Sequence, residues 1–301
     1  MTGAALRAEG GGVWAVRLAP LVGSAQRCVE RNIVPGRGPH EPERYLRAGG
    51  GYPDPWTRDA AINAWQAGAW LWPQVSRDTL AMVCDGSVVA DDNQWWDQIV
   101  WVIGGYELAV TSGDIDLARW VYRVGCATVA RLDDRCLDPA SGLYRGPAVM
   151  ADGITGYPPE LHDPAHAGDS FVLDHPATHH IACLSTNALY VWALRRLADL
   201  ADWLGDDPAP WLARANRLGE RVREQFTLPD ERLGYLAGVG DGSPGSGDGS
   251  PGSHVRSKNG SPGSRDGSPG SRDGSPGSHV RSKNASSGSG DGSPGLWGLL
   301  H

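Results

Sequence analysis

Three short stretches of the chain concentrate the side chains that could bind or cleave a polar ligand. The first is Tyr52-Pro53-Asp54-Pro55-Trp56-Thr57-Arg58-Asp59, and the second is Asp91-Asp92-Asn93-Gln94-Trp95-Trp96-Asp97. The third is Gly146-Pro147-Ala148-Val149-Met150-Ala151-Asp152-Gly153-Ile154-Thr155-Gly156-Tyr157-Pro158. Carboxylates, an arginine, amides and indoles recur in them. Indole faces stack on the C–H faces of sugar rings, while Asp, Asn, Gln and Arg hydrogen-bond hydroxyls. Seven tryptophans fall between Trp56 and Trp101, so carbohydrate is the expected partner ahead of other small ligands. Trp65, Trp72 and Trp101 sit on periodic apolar faces and are expected in the core. Trp56, Trp95 and Trp96 stand beside charged residues and are the expected pocket indoles.

A different chemistry is open to His162, His166, His175, His179 and His180. His162/His166 and His175/His179 are four residues apart, with Asp163, Asp169 and Asp174 interspersed. Zinc needs three or four such ligands converging. Pro164, Gly168 and Pro176 interrupt any helix that would align them, so surface and pocket-rim histidines are the favoured reading and neither a metal nor a cofactor is expected.

Helices must position these clusters. Ile62, Trp65, Ala69 and Trp72 recur at helical spacing on a segment entered at Thr57 and stopped by Pro73. Trp95, Ile99, Val102, Tyr106 and Val110 mark a second helix. Ser112-Gly113-Asp114 breaks the chain and caps a third, carrying Leu117, Val121 and Val124. Leu189, Ala193, Leu197, Leu200 and Leu204 stripe a fourth that starts near Ser185 or Thr186. Pro208 and Pro210 open a fifth through Leu212, Leu218, Val222 and Phe226. Shorter helices are expected around Val22–Arg31 and Gln74–Val83. Residues 136–178 show no helical period, yet Tyr144, Met150, Tyr157 and Phe171 make them too apolar for a disordered linker. The pattern is all-α: helical hairpins joined by long loops. If the helices behind the clusters run parallel, their N-termini open on one face and the clusters line one pocket.

Composition divides the chain. Residues 1–240 hold 21 Arg, no Lys and 30 acidic residues, a net charge of −9, with 12 of the 13 Trp. An acidic body without a basic stripe argues against nucleic acid, and no apolar stretch approaches the ~20 residues of a membrane span. From Gly240 the chain repeats SHVRSKN and DGSPGS, nearly without apolar residues, and is expected to be disordered. Residues 1–19 read as an N-terminal extension, 20–240 as the folded body and 241–301 as the tail. Five scattered cysteines without a CxxC, and no secretory signal in the first residues, fit a reducing cytoplasm. Oligomeric state has no signature here.

Trp-Thr-Arg-Asp at Trp56–Asp59, followed by a Trp-rich helix, resembles the W-x-R-D entry of the six-hairpin glycosidases. That superfamily includes glucoamylases, trehalases, hydrolases of the mannosylglycerate/glucosylglycerate type and the glucosidase half of glycogen-debranching enzymes. DDNQWWDQIVWVIGGYELAVTSGD is similar to a later barrel helix of debranching-type members, and GPAVMADGITGYP, more loosely, to the loop carrying their acid carboxylate. The resemblance covers roughly residues 20–236. It implies an (α/α)6 toroid, present here in part, and hydrolysis of α-glucosidic or related bonds with inversion. In that chemistry one carboxyl protonates the leaving oxygen and another, about 6.5–9.5 Å away, activates water. By matching position Asp152 is the general-acid candidate, and its apolar or small flanks are a setting that keeps a carboxyl protonated; the alternative is an Asp that stabilises its own Gly-rich turn. Arg58 and Asp59 match positions that hold hydroxyls of the terminal sugar, or form a local pair at a helix N-terminus. Asp92, Gln94, Trp95, Trp96 and Asp97, with Trp56 and Tyr157, complete the expected substrate-binding set. The family's general base lies in later hairpins, beyond Gly240, so the chain reads as a truncated glycosidase. Glu160 is the nearby substitute, and it suits an exposed loop equally well. A sugar-binding remnant without catalysis fits the same motifs.

Overall fold

The structure is a computed structural model that describes residues 13–90 and 94–237; the tail expected at 241–301 lies outside the described residues. Helix dominates, as the periodicities require. Helix α1 (Val13–Asn32) runs into the antiparallel pair β1 (Ile33–Pro35) and β2 (Arg44–Leu46). It begins ahead of residue 20, so the expected junction between extension and body falls inside a helix.

The segment entered at Thr57 is helical through Leu71, in three parts. Regular helix α2 (Thr57–Asn63) passes into a π-helical turn (Ala64–Gly68) and back into helix α3 (Ala69–Leu71). Pro73 does not simply stop it. Trp72 breaks the helix and Pro73 occupies the first turn of α4 (Pro73–Met82), where its missing N–H costs nothing. At Gly68 a Cβ would sit 2.4 Å from the Ser76 Oγ and 2.7 Å from the Asn63 carbonyl, so glycine is what lets α4 close against the π turn. A cavity of about 40 Å3 remains beside it, lined by Val29, Leu46, Asn63, Gly68, Trp72 and Val75 among others. Strands β3 (Cys84–Asp85) and β4 (Val88–Val89) form a tight hairpin.

A 3-10 turn at Trp95–Asp97 leads into α5 (Val100–Ser112). The one-sided stripe expected here is corrected. Residues 100–105, Leu108 and Ala109 are buried all round the helix, whereas Val110 of the proposed stripe is exposed. The reason is position: α5 packs against α2, α4, α6 and α7 at once, and a helix buried on all sides has no polar face to give it a period. Gly104 and Gly105 permit this crowding. A Cβ at Gly104 would meet the Ala61 carbonyl at 2.4 Å, and one at Gly105 would meet the Val121 Cγ1 at 2.8 Å.

Gly113 in the left-handed conformation ends α5, and Asp114 caps α6 (Ile115–Cys136) by accepting from the Asp116 and Leu117 N–H groups. That turn forms as read. Leu117, Val121 and Val124 face the core. Helix α7 (Leu184–Leu204) ends at Gly205, again left-handed, and pairs with α8 (Ala209–Phe226). Between α6 and α7, residues 137–183 carry five short 3-10 turns and then β5 (Ala182–Cys183), which pairs with β6 (Leu236–Ala237). Tyr144 and Tyr157 of this loop are buried, Phe171 is half-buried and Met150 is exposed. Among the described residues no helix is long and apolar enough to cross a membrane.

Candidate functional site

Arg58 stands in the first turn of α2, and its buried guanidinium crosses to the long loop. Nη1 donates to Asp152 Oδ1 at 2.9 Å and Nη2 to Asp152 Oδ2 at 2.5 Å. Nη2 also reaches Gln94 Oε1 at 3.4 Å, and Nη1 lies 3.6 Å from Asp97 Oδ2. Three separate elements therefore converge: the start of α2, the 3-10 turn before α5 and the arch at 146–152. Burial is the largest influence on the Arg58 guanidinium and favours its neutral form. The hydrogen bond to Asp152 and the charges of Asp97, Asp152 and Asp59 outweigh it, so the group is held above the ordinary arginine range. Asp97 is wholly buried, whereas the Asp152 side chain keeps 37 % of its surface open to solvent. The outer face of the cluster is thus a carboxylate, the inner face a second carboxylate, and the planar cation lies between them.

This geometry differs from the setting expected of Asp152. Apolar flanks do not define its carboxyl environment; Arg58 does, and it engages both oxygens. A bidentate fork of this kind holds a carboxylate as an acceptor.

The remaining candidates divide. Trp96 is not a pocket indole: it is completely buried, edge-on to Trp95 with ring centroids 5.4 Å apart, and packs where Gly146 leaves room. A Cβ on Gly146, at φ +133°, would lie 2.6 Å from the Trp96 Cβ. Trp95 is half-buried and already engaged, with the Arg135 guanidinium 5.2 Å from its ring centroid and the His179 ring also at 5.2 Å. Trp56 is half-buried just before α2 and meets Tyr52 edge-to-face at 5.6 Å. Asp59, one residue past Arg58, turns away from the Asp152 contact and lines a small cleft with Cys28, Arg47 and Asn63. Asp92 lies outside the described residues. Glu160 is exposed in a 3-10 turn, the bland alternative. Of the expected core tryptophans, Trp101 is fully buried and donates to the Leu80 carbonyl, Trp65 is half-buried edge-on to Trp192, and Trp72 lines the cavity beside Gly68.

Tyr157 is also corrected. Its ring is buried and its hydroxyl is spent within the loop, accepting from the Ala148 N–H at 2.9 Å and donating to the Ala151 carbonyl at 2.8 Å. Burial pushes its ionisation well above the ordinary tyrosine range.

Three of the five histidines, His162, His175 and His179, fasten the loop's backbone, while His166 is half-exposed and His180 exposed. His175 is buried; its Nδ1 accepts from the Asp163 N–H at 2.9 Å, and Nε2 faces the Asp169 carbonyl at 3.3 Å. His162 Nε2 lies 3.0 Å from the Tyr157 carbonyl and His179 Nε2 2.9 Å from the Leu173 carbonyl. His166 pairs with Asp169 on the surface, which raises its pKa. Among the described residues no three His, Cys, Asp or Glu groups converge as a metal site. Sequence reasoning missed the residues that hold the loop against α7. Thr186 donates to the Pro147 carbonyl and accepts from the Val149 N–H, and Asn187 bonds both the Tyr144 N–H and its carbonyl. The available signal was the polar run Ser185-Thr186-Asn187 at the head of an apolar helix.

No family model matches the sequence, and no curated protein matches it. Among solved structures the chain is similar to a GH63 mannosylglycerate hydrolase from Thermus thermophilus, in complex with Tris and D-glycerate. The TM-score is 0.46 and the identity 15%, over 68% of this chain and 65% of that one. The chain spans less than two thirds of the length of that hydrolase.

Proposed function

We propose that this chain is a glycoside hydrolase-like protein, built as part of an (α/α)6 toroid, that binds a sugar at the Arg58–Asp152–Gln94 cluster. One observation carries the reading. A buried arginine in the first turn of α2 forks onto a half-exposed aspartate 94 residues later, and a glutamine amide oxygen accepts from the same arginine. The Asp152 oxygens accept hydroxyl protons, Arg58 fixes the carboxylate's plane while Gln94 steadies the guanidinium, and the fixed plane discriminates between hydroxyl orientations. The five cysteines are free thiols, which supports a cytoplasmic setting.

Hydrolysis is the second reading, favoured by the exposure of Asp152 between small neighbours Ala151 and Gly153. To act as general acid, its carboxyl must exchange one Arg58 contact for the glycosidic oxygen. A second carboxylate about 6.5–9.5 Å away must then activate water for inversion. Titration calorimetry with glucose, trehalose and maltose, run beside turnover of nitrophenyl α-glucosides, separates the readings. Binding without turnover, lost in Arg58→Met, is the expected result. Turnover abolished by Asp152→Asn moves the assignment to a hydrolase. No binding and no turnover overturns both.

A further inference from the structure

Asp152 follows an arch whose backbone is accounted for nearly bond by bond. The Pro147 carbonyl accepts from Thr186 Oγ1 at 2.8 Å, and the Val149 N–H donates to that same hydroxyl oxygen at 3.1 Å. The Ala148 N–H and the Ala151 carbonyl share the Tyr157 hydroxyl. The Ala151 N–H returns to the Ala148 carbonyl at 3.1 Å, and the Asp152 carbonyl accepts from the Val172 N–H at 2.7 Å. Met150, at the apex, has φ 76°, a left-handed conformation that a side chain with a Cβ seldom adopts. Its side chain is exposed, so side-chain packing does not enforce that conformation. Such strain persists only where surrounding structure over-determines it, and here two hydroxyls bond four of the arch's peptide groups.

We infer that Tyr157 and Thr186 are positioning residues for Asp152. Tyr157 grips the arch from the loop side and Thr186 from α7. Together they hold Met150 in its strained turn and deliver the Asp152 carboxylate squarely onto Arg58. The inference rests on the sugar reading only for what Asp152 then touches.

The test follows the Arg58 guanidinium by 15N NMR, with its signals assigned by their loss in Arg58→Lys. In Tyr157→Phe the Ala148 N–H and Ala151 carbonyl lose their partner in a buried place, and in Thr186→Val the Pro147 carbonyl and Val149 N–H do. Both variants are expected to shift the Arg58 signals and speed their solvent exchange, while Thr186→Ser keeps the hydroxyl and the wild-type spectrum. Affinity for the sugar bound by the wild type falls roughly ten-fold in both, the scale of one buried polar group left unsatisfied. Leu218→Ala, in the core on α8, lowers the melting temperature and leaves the Arg58 signals in place, which separates positioning from general loss of stability. If Tyr157→Phe does not fold, the Thr186 pair carries the comparison. Unchanged Arg58 signals in the folded Tyr157→Phe or Thr186→Val protein overturn the inference. Responsive Arg58 signals in a protein that binds no sugar uphold the arch and overturn the sugar reading instead.

Discussion

Helix α5 and the loop at 137–183 feed side chains into the same core, yet opposite kinds of contact hold them. Around α5 the contacts are almost wholly apolar: Trp101 and Ile103 are completely buried, Gly104 lies against the Ala61 backbone and Gly105 against the Val121 side chain. The loop has its own buried apolar residues, but its path is set by side-chain groups that bond backbone. Tyr157, Thr178, Thr186, Asn187, His162, His175 and His179 each serve one or more peptide groups. A helix satisfies its own backbone and leaves its side chains to pack; an irregular segment in the interior must borrow partners for its peptides. Polar residues inside the loop are therefore the counterpart of apolar residues inside the helices, and the candidate site sits where the two regions meet.

Breaking the apolar side should cost most. Trp101→Ala removes a buried indole and its bond to Leu80, and is expected to lower the unfolding free energy by about 3–5 kcal/mol, read from urea melts. Next comes the junction. Arg58→Leu strips the buried cation from between Asp97 and Asp152; breaking a buried pair costs roughly 3–5 kcal/mol, and with Asp152 partly solvated about 2–3 kcal/mol is expected. Sugar affinity should vanish in the same variant, and a wild-type affinity there removes Arg58 from the site. On the polar side, Thr178→Val keeps the shape but takes the hydroxyl from the Val172 and His175 carbonyls. About 1–2 kcal/mol should be lost, with hydrogen exchange quickening at 170–180 before it does in α7.

The shallowest effect is alkaline. Burial pushes the Cys126 and Cys136 thiols of α6 up to about 11, from an ordinary 9.0. The folded chain then keeps protons that the unfolded chain releases, so the contribution of these thiols to stability is full below pH 9 and declines as pH rises from 9 toward 11. Urea midpoints across that window should fall, and Cys136→Ala should flatten the decline. A flat wild-type profile would mean that water reaches these thiols.

The two regions also differ in what the sequence discloses. Helices α6, α7 and α8 are legible because each buries one face, although on α8 that face carries Ala215, Leu218 and Phe226 while Leu212 of the expected stripe is exposed, and the Gly113-Asp114 punctuation stands in plain residues. The α5 pattern misleads because burial on every side erases the period. In the loop, hydroxyl-to-peptide bonds have no spacing at all, so Tyr157 reads as a ligand contact when its hydroxyl is structural. Residue type marked Arg58, Gln94, Asp97 and Asp152 as candidates, but their convergence needed the fold. Adjacency to charge is a poor guide to exposure: Trp95 and Trp96 share one 3-10 turn, and one is half-buried while the other is sealed.

The π-helical turn at Ala64–Gly68 splits one continuous rod into two rotational phases. Because a regular helix turns by about 100° per residue and the wider π turn by less, winding the same five residues as α-helix would swing Arg58 by roughly a quarter turn relative to Trp72 and α4. The wider turn acts as a phase shifter. It lets the upstream end aim a guanidinium at Asp152 while the downstream end keeps Ala69 in the core.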